Sequence, residues 1–440
     1  MLDPAREAKF REMRETARSI FMRTLQHSSI ASAFQRHVHC ERGVLRVRED
    51  LYDLQAYSRV FVVSIGKAGH TMVEALSAQV GSPLEGIVAS SVEPESQVHG
   101  FRYFRGGHPT PNADSIRAAS AILRALDAQL STALVIFMIS GGGSSIVEKS
   151  LDDELSLDDL VATYRALVHS GAPIAEINTV RKHLSGVKGG RLAQAAYPAH
   201  QVSIFVSDVP DKNLDALASG PTMPDSTSVE DCYRIAEKYE LLKQFPASTR
   251  ELFERHALEE TPKSDDPAFV RARWWPILSN QTAREAASAM LPLEFSGDED
   301  NSCDDWDYEK AADYLVARVR ALRRMYSPAC LISGGEVTVK VTNGGVGGRN
   351  QQFALACAEK IAGDNITVLS AGTDGVDGNS LAAGAIVDGS TVERARTRGF
   401  DVRSALKKFD AFPLFKALGD AIETGPTGNN IRDLRILLAY

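Results

Sequence analysis

At 440 residues the chain is too long for one compact core, which predicts two or three domains. A hydrophobic share of 44% and a charged share of 24% are those of an ordinary globular protein, and a net charge of -8 argues against nucleic-acid binding, which favours a clustered basic surface. The cysteines Cys40, Cys232, Cys303, Cys330 and Cys357 are odd in number, far apart and never arranged as Cys-x-x-Cys, which argues against a disulfide scaffold or zinc site and for reduced thiols in a cytoplasm.

The opening stretch, MLDPAREAKFREMRETARSIF, sets Phe10, Met13, Ala17, Ile20 and Phe21 at helical spacing among charges. That pattern predicts an amphipathic first helix, without the unbroken apolar centre of a signal peptide. Short β-branched runs then alternate with longer amphipathic stretches, the pattern of an α/β protein with a largely parallel sheet. Arg59–Ile65 predicts a buried strand, followed by a glycine turn and a helix over 70–79. Strands are predicted at 86–90 and 101–104, then a helix over 113–128 with Asn112 as its N-cap. Residues 134–139, LVIFMI, read as the central strand: continuous, apolar, and stopped by three glycines. The longest apolar stretch, 133–139, falls far short of a membrane span. Helices are predicted at 157–169 and 174–184, and a strand at 202–206; a strand at 275–278 with a helix from Gln281 repeats the unit.

The acidic, poorly periodic stretch 295–307, FSGDEDNSCDDWD, predicts a boundary between an N-terminal domain of residues 1–300 and a C-terminal domain of residues 301–440. Beyond it come a helix over 308–324, a strand at 330–333, an alternating half-exposed strand at 336–341, and strands at 366–370, 385–387 and 435–439. The second domain therefore reads as a smaller, mixed α/β sheet.

Strands repeatedly run into glycine-rich or Asp-bearing loops. In open parallel sheets ligands bind beyond the carboxyl ends of the strands, and glycine lets backbone N–H groups approach an anion. Gly66-Lys67-Ala68-Gly69 could offer a lysine to a transferring phosphate, although an isolated turn of this kind reads as a surface lysine. Ser140-Gly141-Gly142-Gly143-Ser144-Ser145 favours a phosphate cradle over a merely flexible turn. Asp208 at the next strand end could hold Mg²⁺, take a proton, or cap a turn. Gly344-Gly345-Val346-Gly347-Gly348-Arg349 resembles an anion-binding loop whose arginine grips phosphate or carboxylate. Asp374 and Asp377 fit metal-linked phosphate binding and simple Asx-turns equally. Arg181-Lys182-His183 and Lys188-Gly189-Gly190-Arg191 read as a solvated basic face, His108 as a structural histidine close to the crevice, and Trp274 and Trp275 as packing residues.

The Walker form GxxxxGK[ST], GxGxxG, the GxSxG elbow, HExxH and the protein-kinase motifs are all absent. Eight ordered segments across nearly the whole chain instead resemble the glycerate 2-kinase family, whose C-terminal part is called the MOFRL domain. They are SIGKAGHTMVEAL, GGHPTPNADSIRAA, ISGGGSS, INTVRKHLSGVKGGRLA, SDVPDKNLDALASGPTMPDST, GGVGGRNQQFALA, GTDGVDGNSLAAGAIVDG and TGPTGNNIRDLRILL. The resemblance implies a Rossmann-like N-terminal domain, a smaller MOFRL domain and an active site in the cleft between them. It implies ATP, Mg²⁺ or another divalent cation, and phosphoryl transfer to the C2 hydroxyl of D-glycerate, with no nucleic-acid or membrane partner. Lys67 and Arg349 occupy the family's catalytic positions, where they would also bind substrate. With them, Ser140, Gly141, Gly142, Gly143, Ser144, Gly347 and Gly348 would bind phosphate, Asp208 would activate the hydroxyl and Asp374 would help hold the metal; the two Asp roles are interchangeable at this level. The chain departs from the family pattern at Gln352, where GGRNQE is usual, and at Leu381, where an Asp usually precedes AAGA. Because family members are often labelled hydroxypyruvate reductases, an NAD(P)H-dependent reductase is the main rival reading, and a non-catalytic sugar-acid sensor is another. The oligomeric state is undetermined, with a homodimer among the alternatives.

Overall fold

The computed structural model describes residues 4–342 and 344–440, and these form two compact units: residues 30–277, and residues 4–29 together with 278–440.

The first unit opens with a small antiparallel sheet, β1 (Val38–Glu41), β2 (Val44–Val47) and β3 (Asp50–Asp53). Its main sheet comprises β4 (Arg59–Ile65), β5 (Glu85–Ser90), β6 (Phe101–Arg105), β7 (Ala133–Ser140), β8 (His200–Val206) and β9 (Ala272–Leu278), in the order β6-β5-β4-β7-β8-β9. The pairs β5–β6, β4–β5, β4–β7 and β7–β8 are all parallel. All eight residues of β7 are buried, as a strand covered by helices on both faces requires. The chain builds outward from β4 to β6 and then returns to the other side of β4 as β7. The sheet's topological switch point therefore lies between β4 and β7. The helix Ala113–Asp127 starts where Asn112 predicts it: the Asn112 side chain accepts from Ser115 N at 2.9 Å and Ser115 Oγ accepts from Asn112 N at 3.1 Å. Its buried face, Ala118, Ile122 and Leu126, packs into the cluster of Val63, Val135 and Phe137.

The second unit carries β10 (Ser296–Glu299), β11 (Ala329–Gly335), β12 (Ile366–Gly372), β13 (Gly384–Asp388), β14 (Ala421–Ile422) and β15 (Asp433–Ala439), ordered β10-β11-β15-β12-β13-β14. Only β10–β11 is parallel; β15 lies between β11 and β12 and pairs antiparallel with both along its whole length. Side chains of β15 alternate between two cores. Leu437 joins Leu315 and Phe353 from the helices Tyr308–Met325 and Arg349–Lys360, while Ile436 and Leu438 join Met13, Ala17, Ile20 and Phe21 from the helix Pro4–His27.

The observed architecture is thus α/β, a parallel-sheet unit plus a smaller mixed α/β unit, with two differences from the sequence expectations. The units divide at residues 277 and 278 rather than near 300, and the first helix belongs to the second unit. The acidic stretch is no linker, because β10 within it pairs with β11, and the helix Asn280–Ala289 contributes Ala287 to the core that holds the first helix. Residues 336–341 alternate but form no strand: β11 already has β10 and β15 as neighbours, and only Thr338 makes a bridge, to Asp307. Among the described residues, no helix is long and apolar enough to cross a membrane.

Candidate functional site

In the parallel-sheet unit the loops after β4, β7 and β8 are laced together at the switch point. Lys67 N donates to Gly141 O at 2.9 Å and Ala68 N to Ser140 Oγ at 3.1 Å, so both glycine loops share one rigid backbone. Gly66, at φ +123°, is required there: a Cβ would lie 2.2 Å from Ser140 Oγ. Asp208 presses against the same loop, since a Cβ on Gly141 would lie 2.0 Å from Asp208 Oδ2. A Cβ on Gly142 would meet His108 Cδ2 at 2.9 Å and Lys67 Cγ at 3.2 Å. Lys67, His108 and Asp208, expected separately from sequence, are therefore gathered around Gly141 and Gly142. Lys67 is exposed and makes no ion pair with a carboxylate among the described residues. Burial, and then the Lys67 charge, hold the His108 imidazole below its usual range.

The individual groups of the 140–145 loop have distinct tasks. Ser140 is buried and serves the structure, accepting from Ala68 N. Ser144 Oγ is paired with Ser219 Oγ at 2.8 Å. The backbone N–H groups of Gly142, Gly143 and Ser144 donate to no other group among the described residues. Three adjacent unspent donors beside a lysine make an anion cradle.

Next to it lies a cavity of about 400 Å³ walled by Gly142, Ser144, His108, Tyr164, Arg165 and Arg181. The basic segment behind it is not the solvated face its composition suggests: Lys182, His183, Lys188 and Arg191 are only 1–9% exposed. Each has an oxygen partner that is remote in sequence. Lys188 pairs with buried Glu148, which also accepts from Ser185 Oγ at 2.6 Å and Tyr164 Oη at 2.8 Å. Lys182 pairs with Asp225 at 3.1 Å and Asp215 at 3.3 Å, His183 Nε2 meets Glu260 at 2.9 Å, and Arg191 reaches Glu259 O and Glu260 O at 3.3 Å.

In the second unit, Arg349 opens the helix Arg349–Lys360 and is clamped by carboxylates. Its Nε and Nη2 hold Asp433 at 2.7 and 3.1 Å, and Nη2 also reaches Glu336 at 2.7 Å, leaving Nη1 without a protein partner among the described residues. Burial opposes the Arg349 charge, but Asp433 and Glu336 more than offset it and hold the guanidinium above its usual range. The loop before it resembles the 140–145 loop in composition and differs in hydrogen bonding. Val346 N donates to Asp410, Gly347 N to Asn379, and Asn350 N and Gln351 N to Asp377. The helix end thus already holds a carboxylate, and of the two glycines expected to bind phosphate only Gly348 keeps its donor. Gly348 also admits Asp377, whose Oδ1 lies 2.3 Å from where a Cβ would be. Gln352, one of the departures from the family pattern, donates to Leu406 O at 2.8 Å, a contact an ionised glutamate could not make. Leu381 is exposed and nothing in the structure explains it.

The cavity beside Arg349, about 740 Å³, is acidic, with Asp305, Glu336, Asp374 and Asp377 among its walls. Among the described residues no group of three or more His, Cys, Asp or Glu is arranged to hold a metal ion. Asp374 fits a cation that arrives with phosphate, since Mg²⁺ commonly takes only one or two protein carboxylates. Its Oδ1 and Asp433 Oδ1 lie 2.9 and 3.4 Å from the position of a Cβ on Gly372, and burial, with Asp433 adding, raises the Asp374 carboxyl above its usual range.

Asp377 supplies a pH signature. Burial pushes its carboxyl from 3.8 up to about 6, so the folded chain binds that proton more tightly than the unfolded one. Its contribution to stability is complete below about pH 4 and is lost as pH rises through about 6. Thermal midpoints measured from pH 4 to 7 should therefore fall with pH more steeply in the wild type than in Asp377→Asn. Parallel curves would assign the titration elsewhere.

A strand-end glycine loop at a topological switch point, with a lysine and a carboxylate against it, is an arrangement of an α/β protein suited to an anion. Residues 16–254 match a family described as a domain of unknown function (DUF4147), and residues 329–433 match the MOFRL family. A D-glycerate 2-kinase from Thermotoga maritima is 37% identical over 399 residues, covering 89% of this chain and 93% of the relative. A protein from Agrobacterium vitis with the provisional name hydroxypyruvate reductase is 37% identical over 387 residues, covering 86% of this chain and 87% of its own. A crystal structure of a glycerate kinase from Thermotoga maritima superposes with a TM-score of 0.85 at 32% identity, over 98% of this chain and 100% of that one. The chain belongs to the glycerate 2-kinase family.

Proposed function

We propose that the protein transfers the γ-phosphoryl group of ATP to the C2 hydroxyl of D-glycerate, giving 2-phosphoglycerate and ADP. The reading rests on the β4–β7 switch point, where three unspent N–H groups, the Lys67 side chain and the Asp208 carboxylate converge on Gly141 and Gly142. A dinucleotide reductase would use such a loop for pyrophosphate, but its GxGxxG fingerprint is absent, whereas the N–H groups, the lysine and the carboxylate together suit a phosphoryl group in transfer. Phosphoryl transfer needs them all, because it leaves the protein little to do beyond positioning and charge stabilisation.

In this mechanism the C2 oxygen forms its bond to the γ-phosphorus as the bond to the ADP oxygen breaks, and Asp208 takes the hydroxyl proton. Lys67 and the N–H groups of Gly142, Gly143 and Ser144 stabilise charge on the nonbridging oxygens. Arg349, through Nη1, offers a cation for the glycerate carboxylate or the phosphoryl group. Asp374 would help hold a divalent cation, which when bound neutralises phosphate charge. Its place among the carboxylates of the cavity that Arg349 lines supports the metal role for Asp374, which leaves the base role to Asp208.

Incubation with D-glycerate, ATP and Mg²⁺ should yield ADP and a product whose phosphorus NMR spectrum is that of 2-phosphoglycerate. NADH oxidation with hydroxypyruvate in the absence of ATP turnover would overturn the reading, and 3-phosphoglycerate would overturn its regiochemistry.

A further inference from the structure

The two cavities carry opposite charge. Around the 740 Å³ cavity, Asp305, Glu336, Asp374 and Asp377 outnumber Arg349, which is itself clamped by Asp433. The 400 Å³ cavity has no carboxylate in its wall and carries Arg165, Arg181, His108 and His169. Neither Arg165 nor Arg181 has an ion-pair partner among the described residues, and the Nε of Arg181 is shielded from solvent with no hydrogen-bond acceptor. A shielded donor left unpaired is costly, so the Nε of Arg181 has capacity for an acceptor, while Arg165 is an exposed cation beside it.

The placement of Arg181 is built rather than incidental. Its guanidinium carbon lies 4.8 Å from the centre of the Tyr164 ring. That ring is buried and held by its hydroxyl on Glu148 at 2.8 Å, and Glu148 is held in turn by Lys188 and Ser185. A guanidinium seated on a fixed aromatic ring is oriented before any ligand arrives. The wall continues into Gly142 and Ser144, whose N–H groups are unspent, so the cations and the cradle face one space. Its volume lies in the range of sites for ligands of drug size, roughly 300–1,000 Å³. A three-carbon acid would leave most of it empty, whereas a nucleotide would not, and Val161 and Val168 add apolar wall.

We propose that ATP binds by its phosphates in this cavity, with Arg181 as a nucleotide-binding residue and Arg165 as its outer companion. The inference rests on the kinase reading above and locates its nucleotide in the parallel-sheet unit rather than in the acidic cavity beside Arg349.

The test uses the full chain and two readouts: calorimetric binding of MgADP, and KM for ATP and for D-glycerate. Arg181→Ala should weaken MgADP binding and raise KM for ATP by roughly ten- to a hundredfold, the scale of a lost charge-assisted contact, while KM for D-glycerate changes less than about twofold. Arg181→Lys should recover little, because an ammonium neither stacks nor binds bidentately. Arg165→Ala, at an exposed position that tolerates truncation, should weaken MgADP binding in the same direction by a smaller factor. Unchanged MgADP affinity in folded Arg181→Ala and Arg165→Ala proteins overturns the assignment, as does an effect confined to KM for D-glycerate. If Arg181→Ala weakens MgADP binding but the wild type phosphorylates no D-glycerate, the pocket stands and the proposed reaction falls. If D-glycerate is phosphorylated and MgADP binding ignores Arg181, the reaction stands and the pocket falls.

Discussion

Lys67→Ala is expected to lower kcat by on the order of 10²–10³, the usual cost of removing one donor aimed at developing charge, with the fold intact. The backbone at this position is secured independently of the side chain, by Lys67 N on Gly141 O and Ser90 Oγ on Lys67 O. Its side chain is exposed, so truncation leaves no hole in a core and no buried partner unpaired. A lysine that merely solvated the turn would lose nothing measurable in turnover. The comparison is therefore clean: steady-state kinetics on a variant with an unchanged thermal midpoint. Wild-type kcat in that variant would remove Lys67 from the mechanism. Arg349 offers no such clean test. Its loss would also strip buried Asp433 of its bidentate partner, so a fall in activity would mix chemistry with damage to the fold.

Lys188→Met is expected to destabilise the protein by ~3–5 kcal/mol, because it leaves the buried Glu148 carboxylate without its cation. Lys188 and Glu148 are both fully buried, Tyr164 and Ser185 hold the remaining carboxylate valences, and burial keeps the ammonium below its usual range while Glu148 pulls the other way. Pairing the change with Glu148→Gln should recover most of the loss, since the glutamine carries no charge, its carbonyl accepts from one of the Ser185 and Tyr164 hydroxyls, and its NH₂ donates to the oxygen of the other. Denaturant unfolding of the two single variants and the double variant measures the coupling. Additive losses would mean that the two charges do not stabilise each other.

The parts of the fold legible in sequence were those with local causes. Residues 133–139 are apolar throughout because the strand is covered on both faces, and Asn112 caps a helix through contacts within three residues. The parts that were not legible depend on distant partners. The spacing of Met13, Ala17, Ile20 and Phe21 announces a buried helix face, but nothing near it says that the face packs against a sheet made from residues 296–439. Lys182, His183 and Lys188 look solvated until Asp225, Glu260 and Glu148 are brought to them. The site shows the same division. The two glycine loops read alike, and what separates an open cradle at 142–144 from a largely spent one at 346–351 is Asp377, Asn379 and Asp410, which lie 26 to 64 residues downstream of the N–H groups they occupy. Arg181 reads in sequence only as part of a solvated basic face, and Arg165 carries no signal at all, because an unpaired guanidinium has no sequence signature.

The position of β15 governs the order in which a growing chain can become structured. Residues 30–277 contain every strand of the parallel sheet's centre and can fold once they have left the ribosome, as domains generally do. The other unit cannot. Its first helix precedes the parallel-sheet unit in the chain, yet the strand that joins β11 to β12 and underlies that helix is residues 433–439, which follow the whole of that unit. Until residues 433–439 are made, the apolar stripe of Met13, Ala17, Ile20 and Phe21 lacks the strand at the centre of its core, so a nascent chain arrested before residue 433 holds one finished unit and one that cannot close.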